Sequence, residues 1–359
     1  MRAMAADFAA SPAGGAKASV SLDQLISHFE ECYRLTPSTA RKLNRRSEKG
    51  LRVKICIVGC GALGSVFAAH LARLEDVQVY VYEVSEPQLG AIQRHGVRIS
   101  GAAEFTVRVN ATSNARDIPP CDFGIFATKS QHTRAAAQQT AHLFRESGAI
   151  CSVQNGLGNE EIIAEHNNLV IRGATTLAAH LIAPGHAGFE FYSTLWIGPF
   201  EPSGTPYGPV RQLAETMNRA GLRVVPLEDA RGAQWTKLIF NSAVNAVGAL
   251  TQLHHGAATR FQPTSSLYEA VVEEGEAVAQ ALGISLHGDP RDMIEEGATK
   301  PGKRKVSMLQ DVLAQRPTEI DFVNGAIAER GEELGVPVPL NRALWQLMKG
   351  IEYSWADPS

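Results

Sequence analysis

No apolar run in this chain approaches the roughly 20 residues that span a bilayer. The N-terminus also lacks the continuous apolar segment of a secretory signal. A cytoplasmic protein without a membrane partner is the expectation. Cysteine is scarce and odd in number: Cys32, Cys56, Cys60, Cys121 and Cys151, with no C-x-x-C pair. Reduced cysteines are the plain reading, and no metal site is expected. Four of the five sit in or beside apolar strand-like runs, where a free thiol packs as a small hydrophobe. Charge of one sign is missing too. The formal net charge is -3, so nothing points to nucleic acid or an anionic surface. No internal repeat occurs at solenoid periods.

What remains is an ordinary globular composition, 44% hydrophobic and 20% charged over 359 residues, a length that suggests two domains. Residues 1–50 read as an extension. "MRAMAADFAASPAGGAKAS" is rich in Ala, Gly and Ser, "SLDQLISHFEECY" offers a short docked helix, and "RKLNRRSEKGLR" is a basic, solvated connector. From residue 53 strands and helices alternate: "VKICIV", "QVYVYE", "DFGIFA", a helix from about Gln131 to Phe144, "AICSV", "LVIRG" and "TLWIG". This rhythm predicts a Rossmann-type α/β domain over residues 51–228, its parallel sheet covered on both faces. Strand signals stop after about Leu227. Residues 232–250, 264–282, 305–315, 318–334 and 340–352 read as helices, so residues 229–359 are expected to be all-helical. Thr264 and Gly283 stand in N-cap and C′ places of one of these helices.

"GCGALG" places Gly59, Gly61 and Gly64 in G-x-G-x-x-G spacing, between a strand and a helix. The spacing suits a tight turn, a close backbone approach and a pyrophosphate at a helix N-terminus. Glu83 ends the second strand, 24 residues past Gly59, where a carboxylate can bond the ribose of a dinucleotide. The loop residues Gly59, Cys60, Gly61, Ala62, Leu63 and Gly64, with Glu83, are therefore expected to hold a nicotinamide cofactor. Lys129 in "TKS" and Asn155 in "QNGLGNEE" follow strands whose ends border the crevice of an open sheet. Taken alone, one could be a solvated lysine and the other a turn signal.

"WTKLIFNSAVN", residues 235–245, is apolar on nearly every side except for Lys237, Asn241 and Asn245. Steps of four drift only about 40° on a helix, so the three share one stripe. Buried without partners they would each cost a few kcal/mol. They form either a structural network or the wall of a ligand cleft. Gln234 and Gly248 lie near the same stripe. Ser307 and Glu319 fall near helix starts, where an acid can also simply complement the helix dipole.

In combination, "GCGALG", "TKS", "QNG", "W-x-K-L-x-x-N-x-x-x-N", "SMLQD" and "PTEIDFVNG" resemble the ketopantoate reductase (2-dehydropantoate 2-reductase) family over roughly residues 53–353. The resemblance implies hydride transfer between a nicotinamide and a 2-keto or 2-hydroxy acid, the 2-dehydropantoate-to-pantoate step of pantothenate biosynthesis. It implies Lys237 as general acid and Glu319 as its acidic partner. It implies Asn155, Asn241, Asn245 and Ser307 as substrate contacts, with Lys129, Asn155 and Glu319 bordering the cofactor. A non-catalytic dinucleotide-binding redox sensor is the competing class, and it predicts loss of the Lys/Asn/Glu set, which is present.

Two features depart from the family. Glu83 stands where a basic residue usually selects the phosphorylated cofactor, and no Arg or Lys follows before Arg94. NAD(H) is therefore expected to be preferred, with NADP(H) possible. "KRKVSM" is basic where a polar Asn-Ser type stretch is frequent, and Arg304 could read a different carboxylate or a bulkier substrate, or simply face solvent. A different hydroxy acid or alcohol is accordingly an alternative substrate. The expected partners are this small molecule and, as an option, a second copy in a homodimer.

Overall fold

The structure, a computed structural model, describes residues 52–144, 148–299 and 305–355. The chain clusters into two units, Met1–Arg52 and Val53–Ser359, and the second is treated below. The expected extension, with its docked helix and basic connector, and Arg304 lie outside the described residues.

The first half runs β1 (Val53–Val58), α1 (Ala62–Leu71), β2 (Val77–Tyr82), α2 (Glu86–His95), β3 (Val97–Gly101), β4 (Phe105–Val107) and β5 (Asn110–Thr112). It continues with β6 (Phe123–Phe126), α3 (Thr133–Thr140), β7 (Ala149–Ser152), α4 (Asn159–Ala164), β8 (Val170–Thr175), β9 (Ala178–Ala183), β10 (His186–Phe191), β11 (Thr194–Pro199), α5 (Tyr207–Arg219) and β12 (Arg223–Pro226). The main sheet has the order β12-β11-β8-β7-β6-β1-β2-β5. Its pairs are parallel apart from β8 with β11. The mixed α/β, Rossmann-like architecture expected from the strand–helix rhythm is present.

Register places the functional loops. Val58 pairs with Tyr82 on one side and with Phe126 on the other, and Phe126 pairs with Ser152. The C-terminal ends of β1, β2, β6 and β7 are therefore level. The segments that follow them, beginning at Gly59, Glu83, Ala127 and Val153, open at one edge, where β1 is the switch point of the strand order.

One face of the sheet is covered in a way the apolar pattern did not foretell. A second sheet, β4-β3-β10-β9, packs on α1, so that this helix lies between two sheets. Ile99 and Phe189 from the small sheet share a core with Val66 and Phe67 of α1 and Ile55 and Ile57 of β1. The β3–β10 pairing joins stretches about 90 residues apart, and "HAGFEF" carries no continuous apolar run. On the opposite face Cys56, Val58, Phe126, Leu143 and Phe144 form a separate core. Cys56, Cys60, Cys121 and Cys151 are buried free thiols, as their apolar neighbours suggested.

Helices follow: α6 (Arg231–Thr251), α7 (His255–Arg260), α8 (Gln262–Ala281), α9 (Pro290–Thr299), α10 (Ser307–Leu313), α11 (Asn324–Leu334) and α12 (Pro339–Ser354). Their core centres on α6, with Trp235, Ile239, Val244 and Val247 against Tyr268, Val271 and Ile327. Gly283 ends α8 as expected, in the left-handed region at φ 68°, and Ile284 N–H donates to Ala279 O at 2.9 Å.

The start of α8 and the helix expected over residues 318–334 differ from the sequence reading, and α7 and α9 lie outside the helices it gave. Thr264 is not an N-cap. α8 starts at Gln262, because Pro263 suits a first helical turn, and the Thr264 hydroxyl donates backward to Phe261 O at 2.9 Å. The expected helix over residues 318–334 is split into a 3-10 turn, Ile320–Phe322, and α11. Leu157 N–H donates to Phe322 O at 2.9 Å. That carbonyl is thus held by another part of the chain instead of a helical ladder. Among the described residues no helix is long and apolar enough to cross a membrane.

Candidate active site

The glycine loop sits at the level end of the sheet, and its three glycines stand in different surroundings. Gly59 has φ 85°, outside what a side chain tolerates well. A Cβ on Gly64 would lie 2.0 Å from Gly59 O, so this glycine lets α1 pack against the turn. A Cβ on Gly61 would meet nothing within 4 Å, and Gly61 lines an open cleft. The α1 N-terminus has no side-chain cap and no acid in its first turn, so its backbone N–H groups stay available to an anion. Glu83 is buried, and its two oxygens accept from Cys60 N–H and Ser85 N–H, each at 2.8 Å. A carboxylate so held keeps lone pairs for further donors. This arrangement fits the pyrophosphate and ribose of a dinucleotide.

The cleft encloses about 1140 Å³. Gly59, Gly61, Ala62, Leu63 and Glu83 line one end. Lys129, Asn155, Lys237, Asn241, Asn245, Ser307 and Glu319 also line it. Of the residues expected in the site, Cys60 and Gly64 do not. Cys60 is fully buried and contributes its backbone N–H to Glu83, while Gly64 contributes packing.

Glu319 is the hub. It precedes the 3-10 turn, but its carboxylate caps nothing there. One oxygen accepts from Ser130 N–H at 3.1 Å and from the Ser130 hydroxyl at 3.0 Å. The other accepts from the Asn155 amide at 2.9 Å and lies 3.6 Å from the Lys129 ammonium. Lys129 donates to buried Asp311 at 2.7 Å, and Asp311 also accepts from Arg316 at 3.0 Å. Burial opposes the charge of Lys129, but Glu319 and Asp311 overcome it and hold its pKa above the ordinary lysine value.

Lys237, on α6, has no hydrogen bond or ion pair among the described residues. Burial pulls its pKa down to about 8, with the charge of Glu319 pulling the other way. One turn on, Asn241 is buried and its Nδ2 has no partner among the described residues. Asn245 Oδ1 accepts from the Ser307 hydroxyl at 3.2 Å. Gly248 does permit a close approach. A Cβ there would lie 2.8 Å from Val306, so the glycine lets the segment before Ser307 pack on α6. Gln234 turns away from the cleft into a separate buried cluster.

Sequence reasoning missed Ser130 and Asp311. Both lie inside the quoted motifs, yet their contacts reach 189 and 182 positions along the chain, which no local pattern encodes.

A family model described as "Ketopantoate reductase PanE/ApbA" matches residues 55–202, and one described as "Ketopantoate reductase PanE/ApbA C terminal" matches residues 229–352. A 2-dehydropantoate 2-reductase from Archaeoglobus fulgidus is 32% identical over 299 residues, 83% of this chain and 98% of that protein. Among solved structures, a PanE/ApbA family ketopantoate reductase from Ralstonia eutropha JMP134 is 31% identical, with a TM-score of 0.78 over 85% of this chain and 100% of the other. A D-mandelate dehydrogenase solved with NADH and anilino(oxo)acetate shares the fold, with a TM-score of 0.77 at 23% identity over 85% of this chain and 100% of that one. The glycine loop, the lysine-bearing helix and these matches converge: the chain belongs to the ketopantoate reductase PanE/ApbA family of oxidoreductases.

Proposed function

We propose that the chain reduces a 2-keto acid with a nicotinamide cofactor, 2-dehydropantoate to pantoate in the first instance, with Lys237 as the general acid. The observation that carries this reading is Lys237 itself, an ammonium with its pKa drawn down to about 8 in the same cleft as the glycine loop and Glu83. A bound nicotinamide dinucleotide would supply the hydride. Negative charge then grows on the ketone oxygen, and a cation in a water-poor cleft stabilises it most in the transition state. Lys237 donates its proton to that oxygen and is reprotonated from solvent. The amide of Asn241 offers a donor for the substrate, and Asn245 with Ser307 fixes its orientation. Asn155 and Glu319 border substrate and cofactor, and Glu319 favours the charged form of Lys237. Family membership at 31–32% identity supports the same reaction class.

The cofactor expected is NAD(H). Glu83 lines the cleft, and a 2′-phosphate beside its carboxylate would set negative against negative. Like charges about 4 Å apart repel by roughly 4 kcal/mol at an effective dielectric near 20, an upper figure. A preference of about tenfold in kcat/KM corresponds to ~1.4 kcal/mol. Glu83→Arg should narrow or reverse it. A clear NADPH preference in the unmodified protein refutes this assignment.

A second reading keeps the chemistry and changes the substrate. Phe240, Val244, Met293 and Val306 also line the cleft, an apolar wall that suits a branched or aromatic 2-keto acid. A panel of 2-keto acids with both cofactors, followed at the reduced-nicotinamide absorbance band, tests both readings. Selective turnover of 2-dehydropantoate supports the first and selective turnover of an aromatic acid the second. Failure to oxidise either reduced cofactor with any acid sinks the proposal.

A further inference from the structure

The start of α6 is anchored by a buried polar cluster behind the cleft wall. Glu160 on α4, Arg172 on β8 and Gln234 on α6 are 1%, 7% and 5% exposed. The Gln234 amide lies between the other two. Its oxygen accepts from Arg172, and its nitrogen donates to Glu160 Oε1 at 3.0 Å and to Gly156 O at 3.4 Å. With a cation at one end and a carboxylate at the other, the amide has one favourable orientation. Arg172 also donates to Glu201 at 2.9 Å. The second oxygen of Glu160 has no partner among the described residues. Such a carboxylate is costly to bury, and nothing in the reading of the cleft uses it.

Its position suggests a use. Gln234 stands one turn before Lys237. Gly156, whose carbonyl it holds, follows Asn155, which bonds Glu319. A Cβ on Gly156 would lie 2.2 Å from Phe322 O, so the loop also lies tight against the 3-10 turn after Glu319. The Gln234 amide thus ties the segment carrying Lys237 to the one carrying Asn155, and that loop in turn packs on the segment carrying Glu319.

We propose that Glu160, Gln234 and Arg172 are positioning residues for the reaction, and that ionised Glu160 holds Gln234 so as to fix Lys237 against the Asn155–Glu319 pair. This rests on the reading of Lys237 as the acid. Burial drives the Glu160 pKa up to about 7; Arg172 from β8 lowers it, Glu161 on the same helix raises it, and the Gln234 hydrogen bond lowers it. Buried Cys151 on β7 lies close enough to feel the Glu160 charge. Below that value the carboxyl becomes neutral and a poorer acceptor, and the Gln234 nitrogen keeps only the longer bond to Gly156 O while its oxygen stays on Arg172. Reduction should then lose rate toward acid through Glu160.

The test uses the full chain, with kcat, KM for the best keto acid and NADH affinity by fluorescence. Gln234→Leu should lower kcat about tenfold or more with NADH affinity within about twofold. Wild-type kcat should fall about tenfold between one unit above and one unit below the Glu160 value, and Glu160→Gln should remove most of that fall. An acid limb in Glu160→Gln that superimposes on wild type overturns the proposal. So does a folded Gln234→Leu with kcat within about twofold of wild type. If Gln234→Leu does not fold, the Glu160→Gln profile decides. Lys237→Met run alongside separates the two ideas. Retained turnover there refutes the acid assignment and the positioning role with it, whereas lost turnover with silent Glu160 and Gln234 variants refutes the positioning role alone.

Discussion

Lys129 and Lys237 both feel the carboxylate of Glu319, yet they end in opposite states. Lys129, in the loop after β6, has Asp311 at 2.7 Å and Glu319 at 3.6 Å, and its charge is locked in. Lys237, on α6, has burial and no contact partner among the described residues, and its proton is loosened to about 8. One cleft therefore holds the same side chain in two states, one a fixed cation and one an ammonium whose proton is loosened. The difference lies in how many carboxylates reach each ammonium, not in residue type. A lysine becomes an acid for use near neutrality when partners are withheld from it.

The largest expected effect tests that division directly. Lys237→Met should lower kcat by roughly 10²–10⁴-fold with little change in NADH affinity, because only the proton donor is removed. Lys129→Met should cost much less in kcat. Equal losses in steady-state kinetics of the two variants would erase the distinction between donor and fixed cation.

Next in size is the pH profile. With Lys237 as the proposed acid, reduction needs it protonated, so its kcat should fall about tenfold per unit above about 8, while oxidation of the hydroxy acid should rise over the same range. Lys129, its pKa raised, stays charged throughout and contributes no limb there. Parallel profiles in both directions would mean that another group, or product release, limits the rate.

The two lysines should also differ in the sign of their effect on stability. The folded-state pKa of Lys129 is raised, so its stabilisation is fully present below the unfolded lysine value and lost only as pH rises through the raised one. Lys129→Met should therefore destabilise at neutral pH, by about 1 kcal/mol given its partial exposure, or about 2 °C in Tm. The folded-state pKa of Lys237 is lowered, so its favourable contribution is present above the unfolded value and lost as pH falls through about 8. Lys237→Met should leave Tm at neutral pH unchanged or raise it. Thermal melts of both variants check this, and a fall in both would make Lys237 a structural ion.

What could be read from the sequence follows the same line. The glycine loop was legible because its work is done by backbone at fixed spacing, and Gly59 and Gly64 each meet a local steric demand. The Lys237–Asn241–Asn245 stripe was legible because helical periodicity carries it. The Asp311–Lys129 pair was not, since it joins a helix to a loop 182 positions away. Nor was the small sheet, whose β3–β10 pairing is likewise distant. The break at Phe322 escaped because a tertiary hydrogen bond overrode a sound helical pattern. Local chemistry leaves a local mark, whereas chemistry assembled by the fold leaves scattered residues, recognisable here through their resemblance to a family.

The smallest expected effect decides whether the α6 stripe belongs with the donor or with the scaffold. The Nδ2 of Asn241 is buried and without a partner among the described residues. An unsatisfied buried amide costs about 1–3 kcal/mol, so Asn241→Leu, close in volume, removes that cost and adds apolar contact. Some of the gain is lost where Leu meets the cleft, so Tm should stay within a few degrees of wild type or rise slightly. Turnover should nevertheless fall, with KM for the keto acid rising, because the donor proposed for the substrate is gone. A scaffold amide gives the reverse pattern: Tm lowered by many degrees and normal kcat per folded molecule. Melting curves and steady-state kinetics on one preparation tell these apart, and the reverse pattern would return Asn241 to the structural network.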